Sequence, residues 1–138
     1  MQLHLSAPPA PDSAPRFAAA IVAAAADISD AELDYGPAAI ETVEEIVDGF
    51  RSDGATAQEM AESLVAFGCY VGETLIRQGG GSWRHEPDAP GAVPLVVEAP
   101  DGRLLDPIDW VFRRLEHGAD VSIRDHCSLA FPGPCADR

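Results

Sequence analysis

Thr56–Trp83, TAQEMAESLVAFGCYVGETLIRQGGGSW, is the stretch whose reading decides the fold. Thr56 followed three residues later by Glu59 is a capping-box pattern, in which each side chain satisfies a free backbone donor of a first helical turn. Met60, Leu64, Phe67, Val71 and Leu75 then recur at helical spacing, and Ala61, Val65, Gly68, Gly72 and Ile76 line an adjoining stripe. A helix apolar over so much of its girth belongs in the middle of a domain. Gly68 and Gly72 let another backbone approach closely, at a helix-propensity cost of about 1 kcal/mol each. Gly79, Gly80 and Gly81 end the helix, because glycine enters the left-handed region without steric penalty. The expected helix is Thr56–Gln78, and Trp83 opens a β region.

Working outward towards the N-terminus, a helix is expected from Asp12 or Ser13 to about Ile28. Phe17, Ile21 and Ile28 share one of its faces, and its alanines pack on the central helix. A second helix runs from Pro37, at the first-turn position where proline is tolerated, to about Arg51. It buries Ile40, Val43, Val47 and Phe50 and turns Glu41, Glu44, Glu45 and Asp48 the other way. Towards the C-terminus, Trp83–Glu86, Val93–Ala99 and Arg103–Leu105 read as strands of a short antiparallel meander, with Asp101-Gly102 as a turn signal. Pro94 belongs at a strand start or edge, since it cannot donate to a ladder. Asp106 caps a helix over Pro107–His117, whose stripe is Ile108, Val111, Phe112 and Leu115 and whose end is Gly118. Val121–Leu129 fits a strand or a short helix equally well. The expected architecture is one α+β domain over residues 12–130: N-terminal helices around a long central helix, a small antiparallel β-meander, and a C-terminal helix. Residues 1–11 read as a flexible leader and 131–138 as an irregular tail.

The composition excludes several classes of function. The 138-residue chain has a formal net charge of −14 and a pI near 4.3, the opposite of a nucleic-acid-binding footprint and unfavourable at an anionic membrane surface. A basic protein is the partner of compatible sign, although net charge also serves solubility alone. All nine basic residues are arginine, with no lysine and no asparagine, as codon bias in a GC-rich bacterial genome would give. No stretch approaches the roughly 20 apolar residues of a membrane span. The run Phe17–Ala26 follows a proline-rich leader and has no strongly apolar centre, which argues against a signal peptide. Cys69, Cys127 and Cys135 form no metal-ligand repeat. Cys69 reads as a small core residue, Cys127 and Cys135 either pair across the Pro-Gly-Pro turn or stay reduced, and a cytoplasmic location is expected.

Glu73 is the charge that stands out, since it lies on an apolar helix and needs donors if it is buried. The Tyr70 hydroxyl, the Trp83 indole and the backbone N–H groups of Gly79–Gly81 are within reach in sequence. A catalytic carboxylate would need a second polar group converging on it, and none is evident. No nucleophile elbow or Walker loop is present. His85-Glu86 and Asp125-His126-Cys127 contain metal-ligand types without metal-ligand spacing, so no metal or cofactor is expected. Within the acidic stretch from Asp27 to Glu62, Glu41 with Glu45 and Glu44 with Asp48 are like-charge pairs one turn apart, each destabilising by about 0.2–0.5 kcal/mol. A solvated face or a docking site for a basic partner would account for them. Trp110 lies almost opposite the apolar stripe of its helix and is a candidate anchor for a partner or a homodimer, unless the chain's own terminal segments cover it.

Tyr70, Gly72 and Glu73, followed by the glycines and Trp83, resemble the Y-x-G-E…G-G-x-W signature of a bacterial family known only as a domain of unknown function. Leu33, Asp34, Tyr35 and Pro37 resemble its entry into the preceding helix, and Asp101, Gly102, Leu105 and Pro107 its later turn and helix start. The similarity runs from about Leu33 to Ile123 and implies a fold rather than an activity. Two functions are carried forward. The first is a non-catalytic, immunity-like or inhibitor-like protein that binds a basic partner through Glu41, Glu44, Glu45, Asp48 and Trp110. The second is a small-ligand binder or enzyme built on Tyr70, Gly72, Glu73, Trp83 and His85.

Overall fold

In the computed structural model, which describes residues 11–29, 33–86 and 94–130, the chain forms α1 (Ala14–Ser29), α2 (Pro37–Ser52), α3 (Ala61–Gly79), β1 (Ser82–His85), β2 (Leu95–Glu98), β3 (Leu104–Leu105), α4 (Pro107–His117), a 3₁₀ turn (Gly118–Asp120) and α5 (Ile123–Ala130). The expected α+β architecture is present, with α3 at its centre. Every residue of α3 from Leu64 to Gly72 is buried, as a helix apolar on most sides requires. Residues 1–10 of the expected leader (1–11) and the tail over residues 131–138 lie outside the described residues.

The capping box forms, but it closes a separate turn. Thr56 N–H donates to Glu59 Oε1 at 2.9 Å and Glu59 N–H to Thr56 Oγ1 at 3.2 Å, whereas regular helix begins only at Ala61. Met60, at φ −104° and ψ 15°, departs from helical geometry between the two. The helix expected from Thr56 is therefore a capped turn followed by α3.

α1 packs along α3 more extensively than any other pair of elements. Its buried line is Ala14, Ala18, Ile21 and Ala25, with spacings of four, three and four that keep one face towards α3. Three of these are alanines, which hold the helices close. Phe17 is half-buried beside them, and the Ile28 side chain lies outside the described residues. α4 crosses α3 at Gly68, where a Cβ would lie 2.5 Å from the Ile108 Cα. Only glycine permits that approach. At Gly72 the closely packed group is the Trp83 ring, 2.2 Å from a Cβ built there. Sequence reasoning anticipated a second backbone at both glycines; one of the two receives an indole.

The sheet is antiparallel in the order β1-β2-β3. Trp83 lies opposite Val97 and His85 opposite Leu95, and Val97 in turn opposes Leu105. Pro94 precedes β2, and its carbonyl accepts from Glu86 N–H at 2.9 Å. Leu95, Val97 and Ala99, alternate residues of the strand and its end, are buried, and Val96 between them is buried as well. On that second face Arg84 bridges Glu86 and Glu98 at 3.4 and 3.7 Å, exposed pairs of little energetic weight. Gly81, at φ +112°, would bring a Cβ within 2.6 Å of the Glu98 carbonyl, so the turn out of α3 requires glycine. The Asp101-Gly102 turn is tied by Asp101, which accepts from Arg103 N–H and Nε at 3.1 and 2.7 Å. These hydrogen bonds hold its carboxyl below the usual carboxylate range.

Asp106 Oδ1 accepts from Asp109 N–H at 3.1 Å and starts α4 ahead of Pro107. Ile108, Val111, Phe112 and Leu115 are all buried. The ambiguous stretch after α4 is the 3₁₀ turn and α5. Ser122 Oγ accepts from Asp125 N–H at 3.1 Å, a serine cap that decides for helix.

A buried thiol, Cys69, and a half-buried one, Cys127, give the fold a pH dependence. Burial, followed by the nearby Glu73 carboxylate, pushes Cys69 up to about 12 from 9.0, and burial followed by Glu44 pushes Cys127 up to about 12. Burial also raises Tyr70. Above about pH 9 the unfolded chain releases thiol protons that the folded chain keeps, so stability falls as the pH rises towards 12. Urea midpoints should drop between about pH 8 and about pH 10.5, and Cys69→Ala should flatten that drop.

Candidate functional site

The signature residues form a seam between α3 and β1. Trp83 lays its ring on Gly72 and donates Nε1–H to Glu73 Oε2 at 2.8 Å. The indole is therefore the donor for Glu73, as its position in sequence allowed. The Tyr70 hydroxyl is not. It accepts from the Tyr35 backbone N–H at 2.7 Å, which places it on the loop ahead of α2 and directs it to a partner other than Glu73. His85 is exposed near the end of β1. Tyr70 and Glu73 thus serve two different contacts, each joining α3 to another part of the chain.

The Tyr70 contact includes residues that sequence reasoning did not assign a role. Tyr35 adopts φ +64°, unusual for a bulky residue. Its ring packs on Tyr70 with centroids 4.7 Å apart, and the Arg77 guanidinium lies 3.6 Å from its centroid. The available signal was that Arg77 follows Tyr70 by seven residues, which places both on one face of α3.

The carboxylates of α2 divide into two kinds. Asp48 takes a two-pronged contact from Arg114 of α4, with Nε on Oδ1 at 2.8 Å and Nη2 on Oδ2 at 2.7 Å. Glu44 Oε2 meets Arg114 Nη1 at 3.5 Å and accepts from the backbone N–H groups of Ile123 at 2.7 Å and Arg124 at 3.3 Å. Arg114 also donates from Nη1 to the Val121 carbonyl at 2.9 Å. One arginine, itself 8% exposed, therefore links α2, α4 and the start of α5, and Asp48 foremost, then Glu44, raises its pKa further. The like-charge pair Glu44 and Asp48 is explained by the cation between them. Glu41 and Glu45 are exposed; Glu41 makes a direct, solvent-exposed ion pair with Arg124 at 3.4 Å, and Glu45 has no ion pair among the described residues.

Trp110 precedes Arg114 by one turn, so both stand on the ridge of α4 that receives α5. Trp110 is half-buried rather than exposed: its ring stacks on His126 with centroids 4.9 Å apart and planes at 13°. The chain's own C-terminal helix provides the cover. Cys127 carries a free thiol, and Cys135 lies outside the described residues. Among the described residues no group of three or more His, Cys, Asp or Glu side chains is placed to hold a metal ion, and no helix is long and apolar enough to cross a membrane.

Residues 43–126, more than half of the chain, match the family described as Domain of unknown function (DUF3806). No curated protein and no solved structure matches the chain.

Proposed function

This chain belongs to the DUF3806 family, and we propose that it is a bacterial cytoplasmic protein that works by binding a basic protein, in the manner of an immunity protein or inhibitor, without catalysis. The observation that carries this reading is how the arginines are used. Arg84, Arg103, Arg113, Arg114 and Arg124 all meet carboxylates of the same chain, and Arg77 lies on the Tyr35 ring. The excess behind the −14 charge stands on outward carboxylates such as Glu45, one turn from Glu41, whose pair with Arg124 is itself exposed. Such a face speeds capture of a basic surface and disfavours acidic ones.

The alternative, a ligand or enzyme site on Glu73, Tyr70, Trp83 and His85, has weaker support. Glu73 accepts from Trp83 and Tyr70 from Tyr35, so the polar groups diverge instead of converging on one reacting atom. Trp110 can anchor a partner or a second copy only after His126 leaves it.

The test is capture from host lysate at low and high salt with wild type and with Glu41→Arg/Glu45→Arg. A stoichiometric basic partner, lost in high salt and lost by the double variant, is expected. A partner indifferent to both changes would overturn the reading and turn attention to ligand screening around Glu73.

A further inference from the structure

α5 meets α2 much as a basic ligand would. Two of its first N–H groups, those of Ile123 and Arg124, donate to Glu44, and its first charged side chain, Arg124, meets Glu41. A helix N-terminus carries partial positive charge, so α5 presents cationic character to two of the four carboxylates that define the acidic row. Among the described residues what holds it there is limited. α5 as described has eight residues, short of the roughly 12–15 at which an isolated helix becomes even marginally stable. Among its described side chains the fully buried Ile123 is the main apolar anchor, supplemented by half-buried Cys127 and the His126 stack on Trp110. The connection from α4 passes through Gly118 at φ +70°, where the Arg51 guanidinium lies 3.2 Å from a built Cβ. Glycine at that position is required by the left-handed turn that ends α4.

We propose that α5 is a releasable latch that occupies the carboxylates of α2 as an internal competitor of a basic partner. Release bares Trp110, frees Glu41 from Arg124 and leaves Glu44 only its longer contact to Arg114 at 3.5 Å, converting a half-used acidic row into a docking face with an aromatic anchor. The preferred partner then carries what α5 carries: an arginine beside free N–H donors, as at the start of a basic helix. The competition rests on the binding reading above; the release itself rests on geometry alone.

The experiment labels thiols in the full-length reduced protein with N-ethylmaleimide, in increasing urea below the unfolding transition, and maps Cys127 and Cys69 by peptide mass. Local release predicts a Cys127 rate that depends weakly on urea while the Cys69 rate rises steeply, as separate opening units do. His126→Ala, which removes the stack on Trp110 and leaves Ile123 and the Glu44 contacts in place, should raise Cys127 labelling by about ten-fold and leave Cys69 unchanged. An oligo-arginine peptide should raise Cys127 labelling in wild type but not in Glu41→Arg/Glu45→Arg. Equal urea dependence at the two thiols, or no response to His126→Ala, overturns the latch and leaves the binding reading standing on Glu41 and Glu45. Local release that ignores the peptide overturns the competition and counts against the binding reading.

Discussion

Gly68→Val should destabilise the protein by about 3 kcal/mol or prevent folding, because the backbones of α3 and α4 meet there with no room for a Cβ. A Cβ at Gly68 would lie 2.5 Å from the Ile108 Cα, 2.6 Å from its Cγ1 and 2.9 Å from its Cβ. No rotamer change moves a Cα, so the helices must separate, and Ile108, Val111, Phe112 and Leu115 lose contact together. The helix propensity gained on replacing glycine is under about 1 kcal/mol and cannot offset that. Gly72→Ala should be milder despite its shorter contact, since the atom in the way belongs to the Trp83 ring, a side chain able to shift. Gly49 is the control: it is helical and exposed with nothing within 4 Å of a Cβ, so Gly49→Ala should stabilise by about 0.5–1 kcal/mol. Urea unfolding of the three variants checks this order.

Arg114→Ala is the second large effect, a loss of roughly 3 kcal/mol. Breaking a buried pair by removing one partner costs about 3–5 kcal/mol, because the other charge is left uncompensated. The lower end applies because the Asp48 side chain is 42% exposed and screened, although that of Glu44 is only 12% exposed. Arg114→Lys should recover little of the loss, since an ammonium cannot reproduce the parallel Nε and Nη2 contacts to Asp48. Both variants should also unsettle α5, which changes the environment of Trp110 and hence its fluorescence.

The elements that could be read from sequence were those whose signal is local. The stripe on α4, its Asp106 cap and Pro107, the Asp101-Gly102 turn and the glycine exit from α3 each depend on residues within a few positions of one another. The start of α3 was misjudged because a capping box specifies one turn and does not say whether that turn continues. Val121–Leu129 stayed ambiguous because its local cap, Ser122 on Asp125, marks one turn only, and the helix is completed from outside: Glu44, far away in sequence, accepts from its first N–H groups. The same non-locality concealed the role of the acidic row. Arg114 flanks the buried stripe of α4 beside Val111 and Leu115, and an arginine there, opposite a like-charge pair on another helix, was the available hint. Choosing it required knowing that α2 and α4 pack together. For the seam, Trp83 as the donor to Glu73 was legible, whereas the turn of Tyr70 towards Tyr35 depends on a loop conformation, φ +64°, that propensity does not anticipate.

The division of the α2 carboxylates into an internal pair and an outward pair is tested most directly by urea unfolding of two charge reversals. Glu41→Arg/Glu45→Arg should keep the wild-type midpoint to within about 1 kcal/mol, losing no more than one exposed pair to Arg124. Glu44→Arg/Asp48→Arg faces Arg114 with like charge and should lose at least about 3 kcal/mol or fail to fold. Equal effects from the two reversals, or a larger loss from the first, would contradict the division.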